Sequence, residues 1–351
     1  LILENGQILE GTSFGHETEV SGEVVFNTGM VGYPESFTDP SYYGQILVAT
    51  YPLIGNYGVP TSDYFESTKI HIRGLIVSSY IESKSHHQAK MSLSDWLEKE
   101  GIPALSNIDT RTLTQNIRQK GVLKGLISFK TPIKSGLFYD INSDNLVAKV
   151  SIKKTEIYGN GSFKLLFIDC GAKLNQIRLL LKQKIQIIRV PWNYDPFGNT
   201  QFKFDAIMIS NGPGDPKRAA ATIKIVKEAL ARKIPILGIC LGNQILALSA
   251  GANTYKLKFG HRGQNQPVAD TLTGRCYITT HNHGFAVDTK SLPYGWKSWF
   301  INLNDNTNEG IYHQDLPFMS TQFHPEAAPG PEDTEWVIPY FIERAKKWLK
   351  K

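Results

Sequence analysis

The chain reads as an α/β protein in two parts: a smaller, largely β domain over residues 1–150 and, after a linker at 151–162, a parallel-sheet domain over 163–351. Three observations predict this. Beyond residue 163 short apolar runs alternate with helix-length segments, the pattern of buried strands covered on both faces by helices. Before residue 150, runs rich in β-branched and aromatic residues are separated by turn residues. Between the two the chain turns polar, with Lys153, Lys154, Thr155, Gly159, Asn160, Gly161 and Ser162. A chain of 351 residues gives each part enough length to bury a core of its own.

In the first part, Asn5-Gly6 between Leu1-Ile2-Leu3 and Ile8-Leu9 predicts a hairpin turn. Residues 23–26 and 46–50 read as strands, and 93–99 and 110–118 as helices, the second with Asp109 as N-cap and Gly121 as its stop. In the second part, strands are predicted at 163–168, 185–190, 205–209 and 234–239, and helices at 175–181, 219–231 and 243–250. A further strand over 316–323 runs into His324. The C-terminal segment, with Trp336, Phe341 and Trp348 among Arg344, Lys346, Lys347, Lys350 and Lys351, reads as a solvated helix leading into a linker.

Composition narrows the function. Hydrophobic residues at 41% and charged residues at 20% describe a globular chain, and no apolar run approaches the ~18 residues of a membrane span. The net charge of +6 is spread along the chain without a nucleic-acid-binding motif, so no nucleic-acid or membrane partner is expected. Cys170, Cys240 and Cys276, an odd number, argue against a disulfide framework and for a reducing, cytoplasmic setting. None forms a Cys-x-x-Cys pair, and no metal site is expected. The chain opens at Leu1 without an initiator Met, as an excised or processed domain would.

The chemistry concentrates in two segments. Gly238-Ile239-Cys240-Leu241-Gly242 lies where a strand turns into a helix, so Cys240 stands above the sheet edge over the first helical N–H groups. The positive end of a helix favours the thiolate, which is the attacking species. The elbow lacks the lysine and hydroxyl residue of a phosphate loop, which argues against nucleotide binding. In Gln322-Phe323-His324-Pro325-Glu326, extended backbone turns His324 and Glu326 to one side, a base with a carboxylate to orient it. Either residue alone is more often structural; together they specify nucleophile, base and orienter.

Gly-x-Cys-x-Gly-x-Gln followed by His-Pro-Glu resembles the class I glutamine amidotransferases, and Ile209-Ser210-Asn211-Gly212-Pro213-Gly214-Asp215-Pro216 and Asn282-His283-Gly284-Phe285-Ala286-Val287 resemble that family's oxyanion and substrate-backbone loops. The segments 26–33, Thr38-Asp39-Pro40-Ser41-Tyr42 and 50–58 resemble the glutaminase component of carbamoyl phosphate synthetases, with 50–60 most similar to eukaryotic fused pyrimidine enzymes. The resemblance covers nearly the whole chain. It implies that Cys240, His324 and Glu326 hydrolyse L-glutamine through a glutamyl thioester, with the amides of Gly212 and Leu241 as oxyanion donors. It assigns Ser41, Gly214, Gln244, Asn282, Gly284 and Phe285 to substrate binding. It implies no cofactor in this chain, and a large synthetase subunit or fused synthetase domain, using ATP and bicarbonate, as recipient of the ammonia.

Two positions depart from the family pattern: Asn243, where His is frequent, and His281, where Gln is common and which either adds a titrating group near the substrate or, the favoured reading, faces solvent. His261, Arg262 and His283 are assigned structural roles. The competing readings are a catalytically silent glutaminase-like domain that stabilises or regulates its synthetase, and a cysteine hydrolase of a different amide.

Overall fold

A computed structural model describes residues 1–130 and 138–351. The chain divides into two units, Leu1–Asp144 and Asn145–Lys351. The expected linker is therefore misplaced: helix Leu146–Val150 already belongs to the second unit, and Glu156–Tyr158 forms an antiparallel edge strand against Gln186–Pro191. Polar composition marked this stretch as a linker because an edge strand needs few apolar residues.

The first unit holds a mixed sheet whose central strands Val20–Asn27, Gln45–Ile54, Gly74–Tyr80 and Ala104–Ser106 run parallel. Leu123–Ile127 and Ile2–Leu3 extend one edge antiparallel, and Thr12–Ser13 the other. Gly6 adopts φ 87° in the predicted turn, and Leu3 donates to the Gln7 carbonyl at 2.8 Å, although the ladder partner of Ile2–Leu3 is Leu123–Ile127. Helix Thr110–Lys120 starts as predicted: the Asp109 side chain accepts from the Thr112 N–H, and Gly121 ends it. Phe37, Trp96 and Leu97 pack with Val25, Leu47 and Leu75 in the core.

In the second unit the parallel strands lie in the order Phe318–Thr321, Ile236–Ile239, Ala206–Ile209, Lys164–Asp169, Gln186–Pro191. Alternate residues face opposite sides, as strand geometry requires. Leu165, Phe167, Met208 and Leu237 enter one core with Leu180 of helix Leu174–Lys182 and Phe341 of helix Val337–Trp348. Leu166, Ile168, Ile207 and Ile209 enter the other with Val226 of helix Ala220–Ala231 and Leu246 of helix Leu241–Ala250. The C-terminal helix is thus not a solvated tail: Val337, Ile338, Phe341, Ile342 and Ala345 are buried, and burying such side chains contributes about 1.5–3 kcal/mol each for the larger ones. Its lysines occupy the opposite face.

An antiparallel extension, not anticipated from the sequence, continues the sheet beyond Phe318–Thr321 through Asn308–His313, Trp296–Asn302, Thr254–Asp270 and Cys276–Val287. Segment 282–287, expected as a loop, belongs to the last of these strands.

Candidate active site

Four neighbouring parallel strands release their chains at the same, carboxyl edge of the sheet, where ligands of open α/β sheets bind. Lys164–Asp169 leads to Lys173, Ala206–Ile209 to the Gly212 loop, Ile236–Ile239 to Cys240, and Phe318–Thr321 to His324 and Glu326.

Cys240 is buried and has φ 54°, ψ −103°, a conformation L-residues rarely adopt. The flanking glycines do not carry this bend. Neither is among the residues with positive φ; each is needed because there is no room for a Cβ. At Gly238 it would fall 2.4 Å from the Gly242 carbonyl oxygen, and at Gly242 2.3 Å from that of Ile209. The bend is therefore concentrated on Cys240, while the glycines let the helix start press against the strands. The Cys240 Sγ donates to the Asn282 carbonyl at 3.7 Å, tying the elbow to the last strand. Leu241 opens the helix, where the N–H has no acceptor within the helix. At Gly212 a Cβ would lie 2.2 Å from the Cys170 carbonyl oxygen and 2.8 Å from Leu241 Cδ2, so only glycine brings that loop this close to the elbow.

His324 and Glu326 are buried, with Nδ1 2.8 Å from Glu326 Oε1. The His324 N–H donates to the Thr280 carbonyl at 2.9 Å, fixing the segment against the last strand. With Nδ1 turned to the carboxylate, Nε2 is left without a hydrogen-bond partner among the described residues. Burial by itself would lower the His324 pKa, but the charges of Glu326 and Cys240 outweigh it and push it up to about 10. Burial would likewise raise Glu326, yet His324 and Lys173 hold it down at about 2. Mutual charge thus outweighs burial and favours the charged forms of the two groups as a pair.

Around the carboxylate stand residues that sequence reasoning missed. Gln176 Nε2 donates to Glu326 Oε1 at 3.0 Å and to Asn211 Oδ1 at 2.9 Å. The buried Lys173 ammonium lies 3.7 Å from Glu326 Oε1 and donates to the Ala327 carbonyl. Asn211 Oδ1 accepts from the Lys173 N–H, so the Gly212 loop and the carboxylate share one network. The one available signal was that Lys173 lies in the segment leaving the carboxyl end of strand Lys164–Asp169, which does not reveal its burial.

Two family models match the chain. Carbamoyl-phosphate synthase small chain, CPSase domain, matches residues 1–127, and glutamine amidotransferase class-I matches residues 166–343, half of the chain. The chain belongs to the class-I glutamine amidotransferase family. Its relatives include multifunctional protein URA2 of Saccharomyces cerevisiae, 47% identical over 99% of this chain and 18% of that protein. Multifunctional protein pyr1-3 of Dictyostelium discoideum is 48% identical over 98% of this chain and 17% of that protein. The mitochondrial carbamoyl-phosphate synthase [ammonia] of Homo sapiens is 46% identical over 99% of this chain and 24% of that protein. The chain spans less than a quarter of each of these relatives.

Within this amidotransferase unit most of the expected substrate-binding positions converge. Gln244, which could have been a solvent-exposed helix residue, is buried; its Nε2 donates to the Phe285 carbonyl at 2.9 Å and to Gln322 Oε1 at 3.0 Å. Asn243 is buried as well, donating to Gln322 Oε1 at 3.1 Å and accepting from Ser320 at 2.8 Å. These bonds join the elbow helix to the His324 strand and to Asn282–Gly284–Phe285. Gly214 takes φ 84° in the loop after Gly212. Ser41 lies in the first unit, in the turn Pro40–Tyr42, with its N–H bonded to Asp39 Oδ1 at 2.9 Å. His281 contradicts its expected exposure: it is buried, on the strand face that His283 shares. No helix among the described residues is long and apolar enough to cross a membrane.

Proposed function

We propose that the chain hydrolyses L-glutamine to glutamate and ammonia and passes the ammonia to a carbamoyl phosphate synthetase that uses ATP and bicarbonate. The observation that carries this reading is the Cys240–His324–Glu326 constellation at the carboxyl edge of one sheet, with Gly212 and Leu241 beside the nucleophile. In this mechanism the Cys240 thiolate attacks the glutamine side-chain amide carbon, the thiol proton having passed to His324 Nε2. The oxyanion is held by the Gly212 and Leu241 N–H groups; one such donor contributes about 3–4 kcal/mol in enzymes where it has been removed. His324 returns its proton to the departing nitrogen, releasing ammonia and leaving a glutamyl thioester. It then takes a proton from water, whose hydroxide opens the thioester and restores the thiol. Gln244, Asn282, Gly284, Phe285 and Gly214 are assigned to the substrate's α-amino and α-carboxylate ends. None of these steps requires a cofactor in this chain.

The link to carbamoyl phosphate rests on the first unit's family match and on relatives several times longer, which have room for the synthetase. The likeness to multifunctional proteins favours the fused pyrimidine-pathway reading, for which we propose a cytoplasmic setting. A silent domain remains the second reading, because one relative's name specifies ammonia. Retention of Cys240, His324 and Glu326 favours catalysis.

The test is glutamate release by the chain with and without its synthetase, together with mass spectrometry for a glutamyl adduct on Cys240. Cys240→Ser is expected to abolish glutamine-dependent synthesis while ammonia-dependent synthesis persists. No turnover and no adduct with the partner present would establish the silent domain instead.

A further inference from the structure

Behind the substrate strand lies a second cluster that the proposed hydrolysis does not use. His261, His281, His283 and Glu309 are all buried, and one ligand atom from each falls within 4.8 Å of all the others. The strand register builds the cluster: His261 pairs directly with His283 across the hairpin, His281 lies two residues from His283 on the same face, and Glu309 comes from Asn308–His313.

The hydrogen bonds fix the tautomers. The Thr279 hydroxyl gives its proton to the Gln266 carbonyl at 2.8 Å, so at 2.7 Å it accepts from His281 Nε2–H. His283 Nδ1 is 2.9 Å from the Phe285 carbonyl, which only accepts, so the proton is on that nitrogen. The remaining nitrogens, His281 Nδ1 and His283 Nε2, therefore direct lone pairs at one another across 3.1 Å. Glu309 Oε2 lies 3.4 Å from the first and 3.8 Å from the second, and has no hydrogen-bond partner. Its other oxygen is occupied by Asn302 Nδ2 at 3.1 Å and His261 Nδ1 at 3.2 Å. His261 is held in turn by Asp305 at 2.8 Å.

Three acceptors thus converge without a donor among them. A proton can bridge two of them and leaves the third facing a lone pair. A divalent cation satisfies all three: ligands about 2.1 Å from a metal stand about 3.0–3.4 Å apart in octahedral or tetrahedral geometry, close to the spacings here. The outer atoms are already tied down, as in metal sites where Thr, carbonyl and amide groups orient the ligands. We propose that His281 Nδ1, His283 Nε2 and Glu309 Oε2 form a structural site for a divalent transition metal, with zinc as the first candidate. The sequence-based expectation of no metal rested on cysteine spacing and did not weigh this set. A bound ion would pin the residues on either side of Asn282, whose carbonyl meets the Cys240 sulfur. The inference rests on these residues and not on the proposed hydrolysis.

The test is zinc uptake by the full chain, untagged and stripped with chelator, read by titration calorimetry and elemental analysis after dialysis. Expected are roughly one equivalent of zinc per chain and a melting midpoint raised by several degrees. Affinity should fall at least ~100-fold in His281→Gln and Glu309→Gln, and be retained in Cys240→Ser. Cobalt loaded into the unmutated chain should show d–d bands without thiolate charge transfer, a readout that stands even where a variant does not fold. No uptake would overturn the site in favour of a trapped proton. Uptake unchanged in His281→Gln, or lost in Cys240→Ser with thiolate charge transfer, would place the ion elsewhere.

Discussion

At the scale of single residues, the strain of the elbow falls on Cys240. The φ of 54° at Cys240 costs about 1–3 kcal/mol for a residue with a Cβ, and glycine removes most of that. Glycine also loses up to about 1 kcal/mol more on folding than alanine does. Cys240→Gly should therefore be more stable than Cys240→Ala by about 1 kcal/mol, measured by urea unfolding. The opposite order would mean that the positive φ is not maintained in solution. Lys173 makes a second case. Replacing it by Met leaves the buried Glu326 with His324 but without its second cation, a loss of up to about 3 kcal/mol, the lower end for removing one partner of a buried pair. Because Lys173 helps hold the Glu326 pKa down, the acid limb of the glutaminase pH profile should also move to higher pH. A purely structural lysine would lower stability and leave that limb unmoved. That Cys240, His324 and Glu326 meet at one sheet edge was expected from the sequence because their spacing and glycine context are local. Lys173, Gln176 and Glu309 were not, since nothing near them in sequence shows that they are buried against a charged or polar partner.

Among the elements, the elbow depends on close backbone approach. A Cβ at Gly242 would meet the Ile209 carbonyl, a backbone atom in a central strand that cannot shift without disturbing the ladder. Gly242→Ala should cost about 3 kcal/mol and reduce glutamine turnover more than it reduces ammonia-dependent synthesis by the complex. Equal loss of both would indicate general unfolding. The parallel strands were readable from apolar runs, because strands buried on both faces carry few polar residues. The antiparallel hairpin Thr254–Asp270 and Cys276–Val287 was not. It carries Gly260, Arg262, Gln264, Asn265 and Pro267 in one strand and three histidine or asparagine residues in the other, and its register shifts twice. Such polarity reads as loop until the neighbouring strands show that it lines a buried site. The polar stretch ending in the edge strand Glu156–Tyr158 was misread as a linker for the same reason.

For the whole molecule, the buried ion pair couples the site to global stability. The His324 pKa of about 10 lies above its ordinary value of about 6.5, so its contribution is complete below 6.5 and is lost as pH rises through 10. Glu326, at about 2, lies below its ordinary value, so its contribution is complete above about 4.5 and is lost as pH falls through 2. Each group changes stability by about 1.4 kcal/mol per pH unit within its window. Urea unfolding at about pH 6.5 and about pH 9 should show a decline in the parent chain that is smaller by this slope in His324→Gln. An identical decline in both would mean that the ring is not held charged. By itself the sequence determined the two-part organisation, the parallel α/β core and the strand-end positions of Cys240, His324 and Glu326, because each is written in local signals: apolar runs, turn residues and the glycines around one cysteine. Tertiary structure alone decided which polar residues are buried and what they face. It placed Lys173 against Glu326, and His281 against His283 and Glu309, because burial and lone-pair direction arise only when strands far apart in the chain come into register.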